Sequence, residues 1–228
     1  MKSLIHNISL SNELRKDIKY QMSTLSNYPS FKYPWIGLED QIMRQKNNNF
    51  TLVGYGSLLN KFSSIKTLSN DFSTLKPVIS FGLKRIYNYK APIEIVKKYN
   101  SMYNPLYIGC LNTIFTNNIN DAINGLTFEL KAKEVDLLRD REKGYDLIPV
   151  VSINWNQPDN LSHIFYVLSA PKEPRLNKIW VDSNILPIKQ YEDICIEGAK
   201  CISTEFLNFF HKTTYLANEK TLAIDSKW

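Results

Sequence analysis

The run Phe50-Thr-Leu-Val-Gly-Tyr-Gly-Ser-Leu-Leu-Asn60 sets more of this chain's architecture than any other stretch. Phe50 to Val53 are strand formers, Gly54-Tyr55-Gly56-Ser57 interrupts them, and an apolar, helix-compatible segment resumes from Leu58 to Leu68. A strand that ends in two glycines before a helix leaves several backbone N–H groups without a ladder partner. Glycine lets the main chain turn sharply and lets a ligand approach it closely, so such a junction can cradle an anionic or carbonyl oxygen. Ser57 reads either as the N-cap of the following helix or as a ligand contact. On spacing alone such a junction is more often plain topology than a binding site.

The rest of the chain alternates short strands with a few helices. Leu14, Ile18 and Met22 make a helical stripe over Asn12–Met22, and Trp35 to Arg44 forms a second short helix before Lys46-Asn-Asn-Asn49. Residues 1–48 therefore read as an N-terminal helical extension, 49–212 as the main domain and 213–228 as a tail or short docking helix. Within the main domain, 77–87 reads as one strand with a bulge at Gly82, followed by a loop or helical insertion over 88–104. Strands follow at Tyr107–Phe115, Ala122–Leu130, Tyr145–Ile153 and His163–Ser169, and Pro149 marks the third as an edge or bulged strand. Helices are expected at Lys133–Glu142, stopped by Gly144, and from about Tyr191 to His211. The class is α+β, and strands so spaced close most easily as a small mixed β-barrel with flanking helices.

Composition narrows the function classes. The 28 basic residues are interspersed with 22 acidic ones, giving a net charge of +6 without a dense Lys/Arg tract, so no nucleic-acid partner is expected. Cys110, Cys195 and Cys201 show no paired spacing and read as free thiols of a reducing compartment. His6, His163 and His211 form no ligand-spaced cluster, so no metal site is expected. No stretch reaches membrane-spanning length and no signal-type apolar run opens the chain, so the expectation is a cytoplasmic protein without a membrane partner. Nothing in the sequence sets an oligomeric state.

A second informative stretch is Leu138-Arg-Asp-Arg-Glu-Lys-Gly-Tyr145. Glu142 falls on the last helical turn, where the macrodipole disfavours a carboxylate, and at the mouth of an apolar barrel it would also be desolvated. Both effects raise its pKa toward the range useful for proton transfer. The alternative is that Glu142 pairs with Arg139 or Arg141 on a solvated face.

Taken together, Gly54-Tyr-Gly-Ser-Leu58 after a strand, Arg141-Glu-Lys-Gly-Tyr145, and Leu186-Pro-Ile-Lys-Gln-Tyr191 leading into a helix with Gly198-Ala199 resemble the γ-glutamylcyclotransferase superfamily. The resemblance spans about residues 50 to 205 and leaves out the N-terminal extension, the insertion and the tail. It implies a barrel cavity that binds a γ-glutamyl small molecule, with Tyr55, Gly56, Ser57 and Leu58 as the substrate loop and Glu142 as the catalytic glutamate. It further implies that the substrate's α-amine attacks its own γ-carbonyl, releasing 5-oxoproline without a cofactor. The short Glu142–Tyr145 spacing is nearer the glutathione-specific branch, and makes Tyr145 a candidate substrate contact or, failing that, a wall residue. Arg85 reads as a surface strand arginine, with a carboxylate-balancing role as the alternative. The Tyr- and Lys-rich insertion would shape a lid or form a solvated loop. A non-catalytic binding protein on the same fold is the competing function.

Overall fold

The computed structural model describes residues 10–44, 50–69, 71–99, 103–158 and 162–226. His6, the 45–49 run and the last two residues of the tail lie outside them. In chain order the elements are α1 (Asn12–Ser23), α2 (Leu38–Arg44), β1 (Phe50–Gly54), α3 (Lys61–Ser64), β2 (Pro77–Phe81), β3 (Leu83–Lys90), α4 (Ile93–Tyr99), β4 (Tyr107–Phe115), β5 (Ala122–Leu130), α5 (Val135–Arg141), β6 (Asp146–Asn154), β7 (His163–Ser169), β8 (Leu186–Pro187), α6 (Lys189–Ile202), α7 (Thr204–Lys212) and β9 (Thr214–Leu216).

Five strands close a barrel in the order β1-β5-β2-β6-β7, and four form a second sheet in the order β8-β4-β3-β9. The barrel is mixed: β1 runs antiparallel to β5 but parallel to β7, where Leu52 and Val53 stand opposite Tyr166 and Val167 and close the ring. This is the α+β class with a small closed barrel that the strand spacing predicts.

Three local expectations are corrected. The stretch 77–87 is two strands, not one bulged strand: at Gly82 (φ +76°) the chain leaves the barrel and enters the second sheet. The long helix over 191–211 is broken at Ser203, whose extended backbone ends α6 and whose hydroxyl accepts the Phe206 N–H (3.1 Å), capping α7. The segment after 213 supplies β9, which pairs in parallel with β3 through Arg85–Tyr87, rather than a tail or docking helix. The insertion, read as loop or helix, is helical over α4. Pro149 keeps its reading as a local edge, because β2 pairs with β6 only from Ser152 onward.

Two apolar clusters hold these layers together. The smaller seats Leu14, Ile18 and Met22 of α1 on Ile79, Phe81, Val151 and Ile153 of the barrel wall. Burying each such side chain contributes about 1.5–3 kcal/mol. The larger fills the seam between barrel, second sheet and helices, and includes Phe50, Leu52, Phe128, Tyr87, Cys195 and Phe206. Residues 31–44 also grip the start of β6. Phe31 and Leu147 exchange backbone hydrogen bonds (2.9 and 2.8 Å), and the buried Trp35 indole donates to the Tyr145 carbonyl (2.7 Å). That anchorage fixes the strand carrying Tyr145 beside the seam.

Candidate active site

The seam between the two sheets opens as a cavity of about 280 Å³, walled by Tyr89, Ile95, Tyr99, Cys110 and Tyr191 and floored by Ser57, Arg141, Glu142 and Tyr145. A recess of about 20 Å³ adjoins it, lined by Gly54, Tyr55, Gly56, Ser57, Leu58, Leu111, Glu142, Tyr145, Leu168 and Tyr191. Its size is about that of one water molecule. All six residues singled out from the sequence line this recess, and Ser57, Glu142 and Tyr145 face both spaces.

The loop takes its shape from β1 and α6. Beyond Gly54 the chain enters a tight 3₁₀ turn over Ser57–Leu59, whose first backbone bonds are donated by Leu59 and Asn60 to Gly56 and Ser57 (2.9 and 3.2 Å). The preceding amides, through Leu58, therefore fall outside the turn's own ladder. Glycine is needed at 56 for close approach: a Cβ there would sit 2.8 Å from the Tyr191 hydroxyl. Ser57 is not the helix cap. Asn60 caps α3 by accepting the Ser63 N–H (3.2 Å), and the Ser57 hydroxyl instead accepts Arg141 Nη2 (2.9 Å).

Glu142 stands at the C-cap of α5, its N–H still bonded to the Leu138 carbonyl (2.8 Å), with Gly144 (φ +81°) turning the chain into β6. Its carboxylate accepts Arg141 Nε at 2.9 Å, yet its side chain is only 15% exposed, so the pair is not on a solvated face. Burial raises the Glu142 pKa above the ordinary glutamate range, and the Arg141 charge partly opposes that rise. Arg139 is turned away, pairing with Asp136 and Glu39.

The two sequence-selected tyrosines have their hydroxyls engaged in the framework. Tyr55 donates to the Leu168 carbonyl (2.8 Å) and Tyr145 to the Leu111 carbonyl (2.6 Å), and burial pushes both phenols well above the ordinary tyrosine value. Tyr145 thus presents a ring to the cavity, stacked on Tyr89 with centroids 4.2 Å apart. Tyr89, Tyr99 and Tyr191 complete the wall; the first two belong to the Tyr- and Lys-rich insertion read as a lid or a solvated loop, and Tyr191 has no site role in the sequence reading. Tyr191 lies within the Pro-Tyr-helix segment that carries the family resemblance, but its approach to Gly56 depends on how α6 packs.

Arg85 is not a surface arginine. It is fully buried, donates to the Asn124 carbonyl and side-chain oxygen (2.7 and 2.6 Å), and lies 4.1 Å from the centre of the Phe210 ring. Burial lowers its pKa to about 9, still protonated at neutral pH, and no carboxylate among the described residues pairs with it. It lies outside the residues lining the cavity. Among the described residues, no three His, Cys, Asp or Glu side chains gather as a metal-ligand set, and no helix is long and apolar enough to cross a membrane.

No family model matches the chain, and no curated protein matches it in sequence. Among solved structures it is similar to YkqA from Bacillus subtilis, with a TM-score of 0.50 and 12% identity over 75% of this chain and 55% of that one. A structure named gamma-glutamyl cyclotransferase aligns at a TM-score of 0.48 and 14% identity, over 71% of this chain and 86% of that one. A glutathione-specific gamma-glutamyl cyclotransferase from yeast aligns at 0.48 and 13%, over 76% and 97%. The likeness to YkqA is one of fold, and this chain spans about half of that protein's length.

Proposed function

We propose that this protein is a γ-glutamyl cyclotransferase that releases 5-oxoproline from glutathione or another γ-glutamyl compound. The observation that carries the reading is the convergence of Glu142 and the 55–58 loop on one recess beside a larger cavity. The recess receives the reacting carbonyl and the outer cavity the departing group.

In the reaction the substrate's α-amine attacks its γ-carbonyl, forming the ring C–N bond, and the original amide C–N bond breaks. The amine arrives as an ammonium and ends as the ring N–H, so a base must take two protons from it, one before attack and one as the ring bond forms; the departing nitrogen gains one as its C–N bond breaks and the other when it leaves as an ammonium. Glu142 serves both steps in turn, a role that suits a carboxylate whose pKa burial has raised. The amides of the loop stabilise the oxyanion that forms on the γ-carbonyl oxygen. Enclosure by the tyrosine wall holds the substrate curled in its near-attack form. Atoms and charge balance without a cofactor.

The test is 5-oxoproline release from a panel of glutathione, γ-glutamyl amino acids and γ-glutamyl-lysine, with Glu142→Gln beside the wild type. Release from at least one compound, lowered about 10²- to 10⁴-fold in the variant, supports the reading. Silence from folded wild-type protein across the panel overturns it in favour of a non-catalytic binding role.

A further inference from the structure

We infer that Arg141 is the positioning residue of this site, locking the Glu142 carboxylate and the 55–58 loop into one rigid unit. The inference rests on the reading of Glu142 as the acid/base. A guanidinium carries five N–H donors in a fixed fork, and here each of them is used. Nε donates to Glu142 Oε1 (2.9 Å). Nη1 donates to the Ser63 carbonyl (2.7 Å) and Thr67 Oγ1 (3.2 Å), and Nη2 to Ser57 Oγ (2.9 Å) and Ser63 Oγ (3.0 Å). The side chain is only 18% exposed, so these bonds are little diluted by water.

Three chain segments thereby meet on one planar group: the end of α5, the substrate loop at Ser57, and α3 with its following turn at Ser63 and Thr67. Neither Glu142 nor Ser57 can shift without breaking a charge-assisted bond, and such bonds are about twice as strong as neutral ones. Arg141 also divides the work between the carboxylate oxygens. Oε1 faces a permanent cation and stays unprotonated, and Oε2, which makes no hydrogen bond among the described residues, takes and returns the proton. The same cation counters part of the rise that burial causes, keeping the carboxyl able to act as a base near neutral pH.

Lysine cannot replace this arrangement. One ammonium can pair with Glu142 but cannot span Ser57, Ser63 and Thr67 at once. The test compares Arg141→Met and Arg141→Lys with the wild type in three readouts: kcat, the acid limb of the kcat/KM pH profile, and the Glu142 carboxyl titration followed by ¹³C NMR and assigned with Glu142→Gln. Arg141→Met is expected to move both the acid limb and the titration upward by roughly one pH unit, the scale of a lost opposite charge. Its kcat is expected to fall about 10- to 100-fold from misplacement. Arg141→Lys is expected to restore the pH positions and leave kcat depressed.

An unshifted carboxyl titration in folded Arg141→Met overturns the proposal, as does wild-type kcat in either variant. Should Arg141→Met not fold, Arg141→Lys decides: depressed kcat with restored pH positions supports the proposal, and wild-type kcat overturns it. If the wild type turns over no γ-glutamyl compound, the proposed function falls. The NMR titration then still reports whether Arg141 governs the carboxyl.

Discussion

Replacing Gly198 by alanine should destabilise this protein, against the ordinary behaviour of a helix interior. Glycine inside a helix costs about 0.5–1 kcal/mol relative to alanine, so Gly→Ala there is usually stabilising. Gly198, however, lies where α6 crosses the turn that follows the 55–58 loop. A Cβ at 198 would sit 2.6 Å from Asn60 N, 2.6 Å from the Leu59 carbonyl carbon and 2.8 Å from the Leu59 carbonyl oxygen. Comfortable contact is about 3.5 Å, so each approach falls short by roughly 0.7–0.9 Å. The opposing atoms are backbone, with no rotamer to swing aside, so α6 and the turn must separate. Overpacking of a dense interior costs about 1–3 kcal/mol. Set against the gain in helix propensity, the net loss is about 1–2 kcal/mol, or a fall in Tm of roughly 2–8 °C for a chain of this size. Because α6 carries Tyr191 against Gly56, the separation also loosens the recess, and turnover should fall further than the folded fraction accounts for. Thermal melting followed by circular dichroism, beside a turnover assay, measures both. A Tm at or above wild type would refute the packing argument.

Three further outcomes follow from the same structure. The raised pKa of folded Glu142 means that its ionisation opposes folding: the penalty is absent below the unfolded value of about 4.3 and grows as pH rises through the folded value. The stability of Glu142→Gln relative to wild type should therefore improve between pH 4 and pH 7 in urea titrations, and a relative stability that worsens over that range contradicts the assignment. Among the described residues Arg85 Nε and Nη1 are buried without partners, and an orphaned donor costs about 1–3 kcal/mol, so Arg85→Met should match or exceed wild-type stability despite losing the Asn124 bonds. A loss above about 2 kcal/mol in chemical denaturation would show that the guanidinium is better satisfied than this geometry allows. Ile18→Ala, at a fully buried position where α1 meets the barrel wall, should cost about 2–4 kcal/mol in the same measurement, and a loss under about 1 kcal/mol would mean that α1 is only loosely attached.

Local chemistry accounts for what could be read directly from the residues. The stripe of Leu14, Ile18 and Met22, the strand ending in Gly54 and Gly56, and the helix stopping at Glu142 before Gly144 are each decided within a turn or two of chain, where side-chain spacing and backbone freedom dominate. The last two meet at one recess, an arrangement that the ordered combination of motifs implies and neither motif implies alone, whereas the α1 stripe packs on the barrel wall. Long-range packing decided the rest. The break at Gly82 sends adjacent strands into different sheets because β2 finds β5 and β6 while β3 finds β4 and β9. Ser57 does not cap α3, because a 3₁₀ turn intervenes and the helix starts at Lys61 under Asn60; its hydroxyl accepts instead from a guanidinium 84 residues away. Arg85 is buried rather than solvated because β9 and α7 cover β3. An isolated residue's charge and spacing carry no record of which distant surface will exclude water from it, and that exclusion gives Glu142, Arg141 and Arg85 their chemistry.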